Sequence, residues 1–139
     1  MDKQTNTLEK INAWRKNTMV EHLGIELTEV GEGYLCGKMP VDHRTHQPMG
    51  LLHGGASVAL AETLGSIGAQ LSVDQEKYAC VGLEINANHI KGVRSGFVFG
   101  KATAVHKGRS TQVWEIKITN EKEELVCLSR ITMAVIEKK

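Results

Sequence analysis

The chain has 139 residues, with 17 basic and 16 acidic side chains giving a formal net charge of +1. That is one domain's length, expected here as a single unit over residues 1–139, and the balance excludes a global field drawing it to nucleic acid or an anionic membrane. With 41% hydrophobic and 24% charged residues and only 2 prolines, the chain is neither disordered nor low in complexity, so a packed core follows.

Residues 5–18 read as a short covering helix opened near Thr7, with Leu8, Ile11 and Trp14 close to helical spacing. A further helical turn, Met19 to Leu23, should end at Gly24. Ile25 and Leu27, then Leu35, Gly37, Met39 and Val41, alternate around Gly31-Glu32-Gly33, the pattern of a β-hairpin, with Pro40 at an edge or strand end. From Gly54 to Val73 the period changes. Leu60, Leu64, Ile67 and Leu71 recur at helical spacing among Gly, Ala and Ser, which predicts a helix buried on nearly every side. Alternation returns with Val81, Leu83, Ile85 and Ala87 on one side of a strand and Glu84, Asn86 and Asn88 on the other. Strands over 96–106, 110–119 and 125–136 follow, joined by short turns that favour antiparallel neighbours. The fold class is therefore α+β: a curved antiparallel sheet wrapped around one central helix. Apolar residues in both phases of the last strand predict a homo-oligomer covering part of the outer face.

Between Arg44 and Asp74, Glu62 is the only Asp, Glu, Lys or Arg, where average composition would supply about seven. Glu62 shares its side of the helix with Ala59 and Ser66, away from the leucine stripe. Desolvation would raise the pKa of such a carboxylate, and small neighbours leave room for a ligand. The plainer alternatives are an ion pair with Arg130 or a solvated helix surface. Just upstream, Gln47 to Gly55 brings two glycines to the helix start, where free N–H groups stabilise oxyanions. Gly54 is the best donor, and His53 and Gln47 add side-chain donors. From Ile85 to Trp114 there is no Asp or Glu, while Lys91, Arg94, Lys101, Lys107 and Arg109 are present, a window suited to phosphate groups unless its charges are simply solvated turns. An aromatic content of 4% argues against a nucleic-acid surface.

Cys36, Cys80 and Cys127 are too few and too widely spaced for a disulfide framework or metal knuckle, and no metal site is expected. None sits in a setting that marks a catalytic thiol. The polar start MDKQTNTLEK and the lack of an apolar run of about 18 residues predict a cytoplasmic protein without signal peptide or membrane span.

The segments MPVDHRTHQPMGLLHGGASVALAETLGS, VGLEINANHIKGVRSG, HKGRSTQVWEI and LVCLSRIT resemble the hotdog-fold acyl-CoA thioesterases. The likeness is to the branch acting on 4-hydroxybenzoyl-CoA and 1,4-dihydroxy-2-naphthoyl-CoA, and covers nearly the whole chain. The resemblance implies dimers with active sites at the subunit interface, usually paired into a tetramer. It implies Glu62 as the catalytic carboxylate, acting as nucleophile or general base, and Gly54 as the oxyanion donor. Gln47 and His53 would flank the thioester carbonyl, with Ser66 assisting the carboxylate. Gln47, His53 and Gly54 would come from one subunit, Glu62 and Ser66 from the other. Asn88, His89, Lys91, Arg94, Arg109 and Ser110 fall in segments resembling coenzyme A contacts; coenzyme A is part of the substrate, and no separate cofactor is implied. The expected reaction is hydrolysis of an aromatic acyl-CoA, with a menaquinone-pathway naphthoyl-CoA as the first substrate to try. The competing readings are a hotdog enoyl-CoA hydratase or dehydratase and a non-catalytic acyl-CoA binding protein.

Overall fold

Residues 3–139 are described by a computed structural model. Helix α1 spans Lys3–Ala13 and α2 Met19–His22, followed by strands β1 (Glu26–Gly31) and β2 (Tyr34–Pro40), helix α3 (Gly54–Leu71), and strands β3 (Tyr78–His89), β4 (Phe97–Lys107), β5 (Thr111–Thr119) and β6 (Leu125–Glu137). All six strands form one antiparallel sheet in the order β1-β2-β4-β5-β6-β3, curved around α3. The core is the inner face of that sheet against α3. Leu35, Met39, Val98, Ala102, Trp114, Ile116, Ile118 and Ile131 are buried there with Leu60 and Leu64.

Several local expectations change. Helix α1 ends at Ala13, and Thr7 lies within it, its hydroxyl bonded back to the Lys3 carbonyl at 2.9 Å, so Thr7 is not a cap. Gly24 does end α2, with φ of +76°. Pro40 closes β2 as expected, but β2 is an interior strand, paired with both β1 and β4. On α3, Ile67 and Leu71 are only half-buried, because the packed stripe drifts onto small residues. A Cβ at Gly65 would meet Ile131 at 2.6 Å, and one at Gly68 would meet the Trp114 ring at 2.8 Å. The helix lies that close to the sheet because those positions have no side chain.

The largest departure is in β3. A bulge between Gly82 and Glu84 inserts one residue against β6, reversing the phase of everything upstream of it. Val81 and Leu83, expected on the core side with Ile85 and Ala87, are instead 44% and 61% exposed. Gly82 takes the inward place, opposite Met133.

The two edges of the sheet are treated differently. At β1, Asn12 of α1 accepts from the Leu27 N–H at 3.0 Å and donates to its carbonyl at 2.9 Å, while Arg15 bonds the Ile25 carbonyl at 2.9 Å. That edge is covered by side chains imitating a strand. No strand among the described residues pairs with the outer edge of the 12-residue β3, and side chains cover only its start, where Gln70 of α3 accepts from the Cys80 N–H at 3.0 Å and donates to the Tyr78 carbonyl at 3.4 Å.

Candidate active site

The loop between β2 and α3 carries Gln47, His53 and Gly54, and it is pinned along its length. Thr45 is buried, its hydroxyl donating to the Pro40 carbonyl at 2.8 Å, and its own carbonyl accepts from His53 N–H at 2.8 Å. His46 Nε2 donates to the Arg94 carbonyl at 2.8 Å and Leu52 N–H to that of Val93 at 2.8 Å, tying the loop to the β3–β4 connection.

At the start of the same loop, Arg44 grips Asp42 through Nε at 3.1 Å and Nη2 at 2.7 Å. The Arg44 hydrogen bonds hold the Asp42 carboxyl down at about 2. A carboxylate with a depressed folded-state pKa contributes stability above its unfolded value, and the contribution is lost as pH falls through about 2. The Tm deficit of Asp42→Asn is therefore expected to be constant near neutrality and to shrink as the pH is lowered toward 2, followed by thermal melts across that range.

The start of α3 is capped by His53, whose Nδ1 accepts from Gly55 N–H at 2.8 Å. An accepting Nδ1 leaves the ring proton on Nε2, directed away from the helix. Ala56 and Ser57 N–H bond the His53 carbonyl at 3.0 and 3.2 Å. Of the four leading amides of α3, only Gly54 N–H has no partner among the described residues. It opens into a cleft of about 350 Å³ lined by Gln47, Leu52, Gly54, Ser57, His89 and Lys91, among others. The Gln47 carbonyl oxygen Oε1 accepts from Met49 N–H, which leaves the amide NH₂ as the group available to a ligand. His89 lies directly over the helix start, its Nε2 2.9 Å from where a Cβ on Gly54 would be.

Glu62 is placed differently. It stands exposed on α3, its Oε2 3.1 Å from the Cβ position of Gly82, next to the open edge of β3. The burial expected of it is not supplied by its own chain, and among the described residues no ion pair joins it to Arg130. Ser66, one turn on, directs its hydroxyl at the Met133 sulfur at 3.9 Å. Eight residues separate Gly54 from Glu62, about 12 Å along the axis, too far for both to touch one carbonyl group.

Of the remaining sequence-derived site residues, the structure brings His89 and Lys91 to the Gly54 cleft, and Arg94 to a neighbouring one. Asn88 faces the other side of the sheet, in a hollow with Arg130 and Glu115. Arg109 and Ser110 sit in the β4–β5 turn, at the end of the sheet away from Gly54. The window's positive charge is also less open than expected, because the β5–β6 turn lays Glu124 on Lys91 at 3.2 Å. Hydrogen bonds from Asn120 and Lys91 push the Glu124 carboxyl below its usual range. Burial pushes the thiols of Cys36, Cys80 and Cys127 up, which suits inert cysteines. Sequence reasoning missed Ser57, a buried hydroxyl one turn into α3 on the cleft wall; its spacing of three from Gly54 was the available signal.

Comparison with known proteins agrees with this geometry. Residues 49–127 match the family model described as the thioesterase superfamily. The chain belongs to the thioesterase superfamily. It is 50% identical to the proofreading thioesterase EntH of Cronobacter turicensis, over 96% of this chain and 97% of that protein. A crystal structure of a mutant of thioesterase PA1618 from Pseudomonas aeruginosa superposes with a TM-score of 0.94 at 50% identity, covering 98% of each chain. Thioesterase HI1161 from Haemophilus influenzae superposes at 0.90 with 52% identity, covering 94% of this chain and 90% of that one. The sheet curved around α3 is thus the hotdog fold of this superfamily, and the chain is a thioester hydrolase.

Proposed function

We propose that the protein hydrolyses an aromatic acyl-CoA to the free acid and coenzyme A, in the cytoplasm, at sites built from two copies of the chain. The observation that carries this reading is the unpartnered Gly54 N–H at the start of α3, opening into a cleft beside the Gln47 amide. A thioester carbonyl there would meet Gly54 N–H with the Gln47 amide alongside, His53 would hold the helix start from outside the cleft lining by accepting from Gly55 N–H, and the helix N-terminus favours the charge that develops on the carbonyl oxygen. The acyl carbon then needs a carboxylate, and Glu62 of the same chain is about 12 Å off along the helix.

A second copy supplies one. Antiparallel pairing of two β3 edges about a two-fold axis would continue the sheet and bring the Glu62 region of one chain toward the Gly54 end of the other. The β3 edge supports that pairing, because Val81 and Leu83 are exposed on the strand and beyond the Gln70 contacts at Tyr78 and Cys80 no side chain covers it among the described residues, whereas α1 and Arg15 cover the β1 edge. The same two-fold brings the Arg109–Ser110 end of one chain to the Gly54 end of the other. A tetramer of two such dimers would cover the outer faces, where Phe97, Phe99 and Val105 are exposed. In this reading Glu62 either attacks the carbonyl carbon or takes a proton from the water that does. The tetrahedral intermediate then expels the coenzyme A thiolate, which takes up a proton; the general-base route yields the free acid directly, and direct attack leaves a mixed anhydride with Glu62 that a water hydrolyses to the acid and the regenerated carboxylate. In this reading Ser66 would turn its hydroxyl from the Met133 sulfur to bond that carboxylate or its water.

The test is thiol release from a panel of aromatic and aliphatic acyl-CoA thioesters, with 1,4-dihydroxy-2-naphthoyl-CoA included for a role in menaquinone synthesis. A clear preference for aromatic acyl groups is expected. Equal or better turnover of aliphatic thioesters would overturn the aromatic assignment, and thiol release confined to other aromatic members would overturn the menaquinone role.

A further inference from the structure

The Gly54 cleft continues past Lys91 and Gly92 into a second hollow of about 360 Å³. One wall of that hollow carries Lys91 and Arg94, and the other is the β5–β6 turn with Glu121, Lys122 and Glu124. The turn is tightly built. Asn120 Oδ1 accepts from Lys122 N–H at 2.9 Å and Glu124 N–H at 3.0 Å, and Asn120 Nδ2 donates to Glu124 Oε1 at 3.0 Å. The other carboxylate oxygen, Oε2, meets Lys91 Nζ at 3.2 Å. Glu124 is therefore held at both oxygens, and the one cation common to the two hollows is already neutralised by a carboxylate that does not have to be ordered when a ligand arrives.

We infer that Glu124 is a specificity-determining residue that weakens the hold of this cleft on thioester carriers bearing phosphate groups, by compensating Lys91 at the cleft mouth. The inference rests on the thioesterase reading above and on the carrier arm passing Lys91. An incoming phosphate must displace Glu124 from Lys91 or sit beside a fixed negative charge, and either lowers affinity. A carrier with no phosphate meets no such opposition.

The experiment compares benzoyl-CoA with benzoyl-pantetheine, which lacks the phosphates, on the unsubstituted protein and on Glu124→Gln. Gln can still accept from Asn120, so the turn is retained while the charge is removed. KM for benzoyl-CoA is expected to fall about 3- to 10-fold at low ionic strength, with the gain largely gone near 0.5 M salt. The kcat for both substrates and KM for benzoyl-pantetheine should not move. Glu9→Gln, the same charge change on exposed α1, should have no effect. An unchanged or higher KM for benzoyl-CoA, an equal fall for benzoyl-pantetheine, or the same fall in Glu9→Gln would overturn the role of Glu124. Failure of the unsubstituted protein to release thiol from either substrate would instead overturn the coenzyme A thioesterase reading. Titration calorimetry with coenzyme A on the same variants then decides the role of Glu124 separately: tighter binding by Glu124→Gln supports it, and equal or absent binding refutes it.

Discussion

Glu62→Gln is expected to lower thiol release by at least about 10²- to 10³-fold with the fold and oligomer unchanged, the order of loss seen when one positioned group is removed from such a site. The substitution keeps the side chain's size and removes its ability to attack or to accept a proton. Because Glu62 is exposed on its own chain and makes no side-chain hydrogen bond or ion pair among the described residues, it has no polar partner to lose, and denaturation midpoints should match the parent. Turnover within a few-fold of the parent would refute the assignment. The loss should appear in kcat more than in KM, since the carboxylate acts on the reacting carbon and not on the carrier.

The same variant tests where the two halves of the site come from. Gln47→Ala removes a donor at the Gly54 end, and Glu62→Gln removes the carboxylate. If each site takes one half from each chain, mixed dimers of the two inactive variants hold one intact site and one doubly damaged one. Random reassociation should then restore about one quarter of the parent activity. If both halves came from one chain, every site in the mixture would carry a lesion and no activity would return. The 8-residue separation on α3 is what makes the first outcome the expected one.

How much of this was readable from residues alone varies with the kind of information each feature needs. The hairpin, α3 and the three-strand meander follow from local periodicity, and the charge-free stretch around Glu62 singled out the helix without any contact being known. The inward phase of β3 did not follow. A bulge changes parity by one residue, and the alternation on either side of Leu83 looks the same whether or not the extra residue is present. The basic window failed for another reason. Counting charges along the chain cannot see that the β5–β6 turn, about 30 residues on, comes to lie against Lys91. The separation of Arg109 from Gly54 was within reach of topology, since successive turns of a meander fall at alternate ends of the sheet. Periodicity and charge counting do not supply the two-chain site, which came only from the family resemblance, because in the proposed dimer Glu62 and the Gly54 N–H would meet only across the β3 edge.

Trp114→Ala is expected to cost about 4 kcal/mol or more, a large part of the roughly 5–15 kcal/mol that holds a domain of this size folded. Trp114 is fully buried on β5 and fills the space beneath Gly68, whose missing side chain lets α3 approach. Removing the indole opens a cavity that a helix resting on glycines cannot fill with its own side chains. It also strands Gln112, buried beside it, whose Oε1 accepts from the indole N–H at 2.8 Å; an unpaired buried acceptor adds about 1–3 kcal/mol. Trp114→Phe separates the two contributions, keeping most of the volume but not the donor, and should fall between parent and Ala in urea midpoint. Gly68→Ala approaches the same contact from the helix side, placing a methyl 2.8 Å from the ring, and should destabilise by pushing α3 off the sheet. Combined with Trp114→Ala, that methyl enters the cavity instead, so the double variant should be more stable than the sum of the single losses. Additive losses would mean that Trp114 and Gly68 do not share the packing on which the position of α3, and with it Glu62, depends.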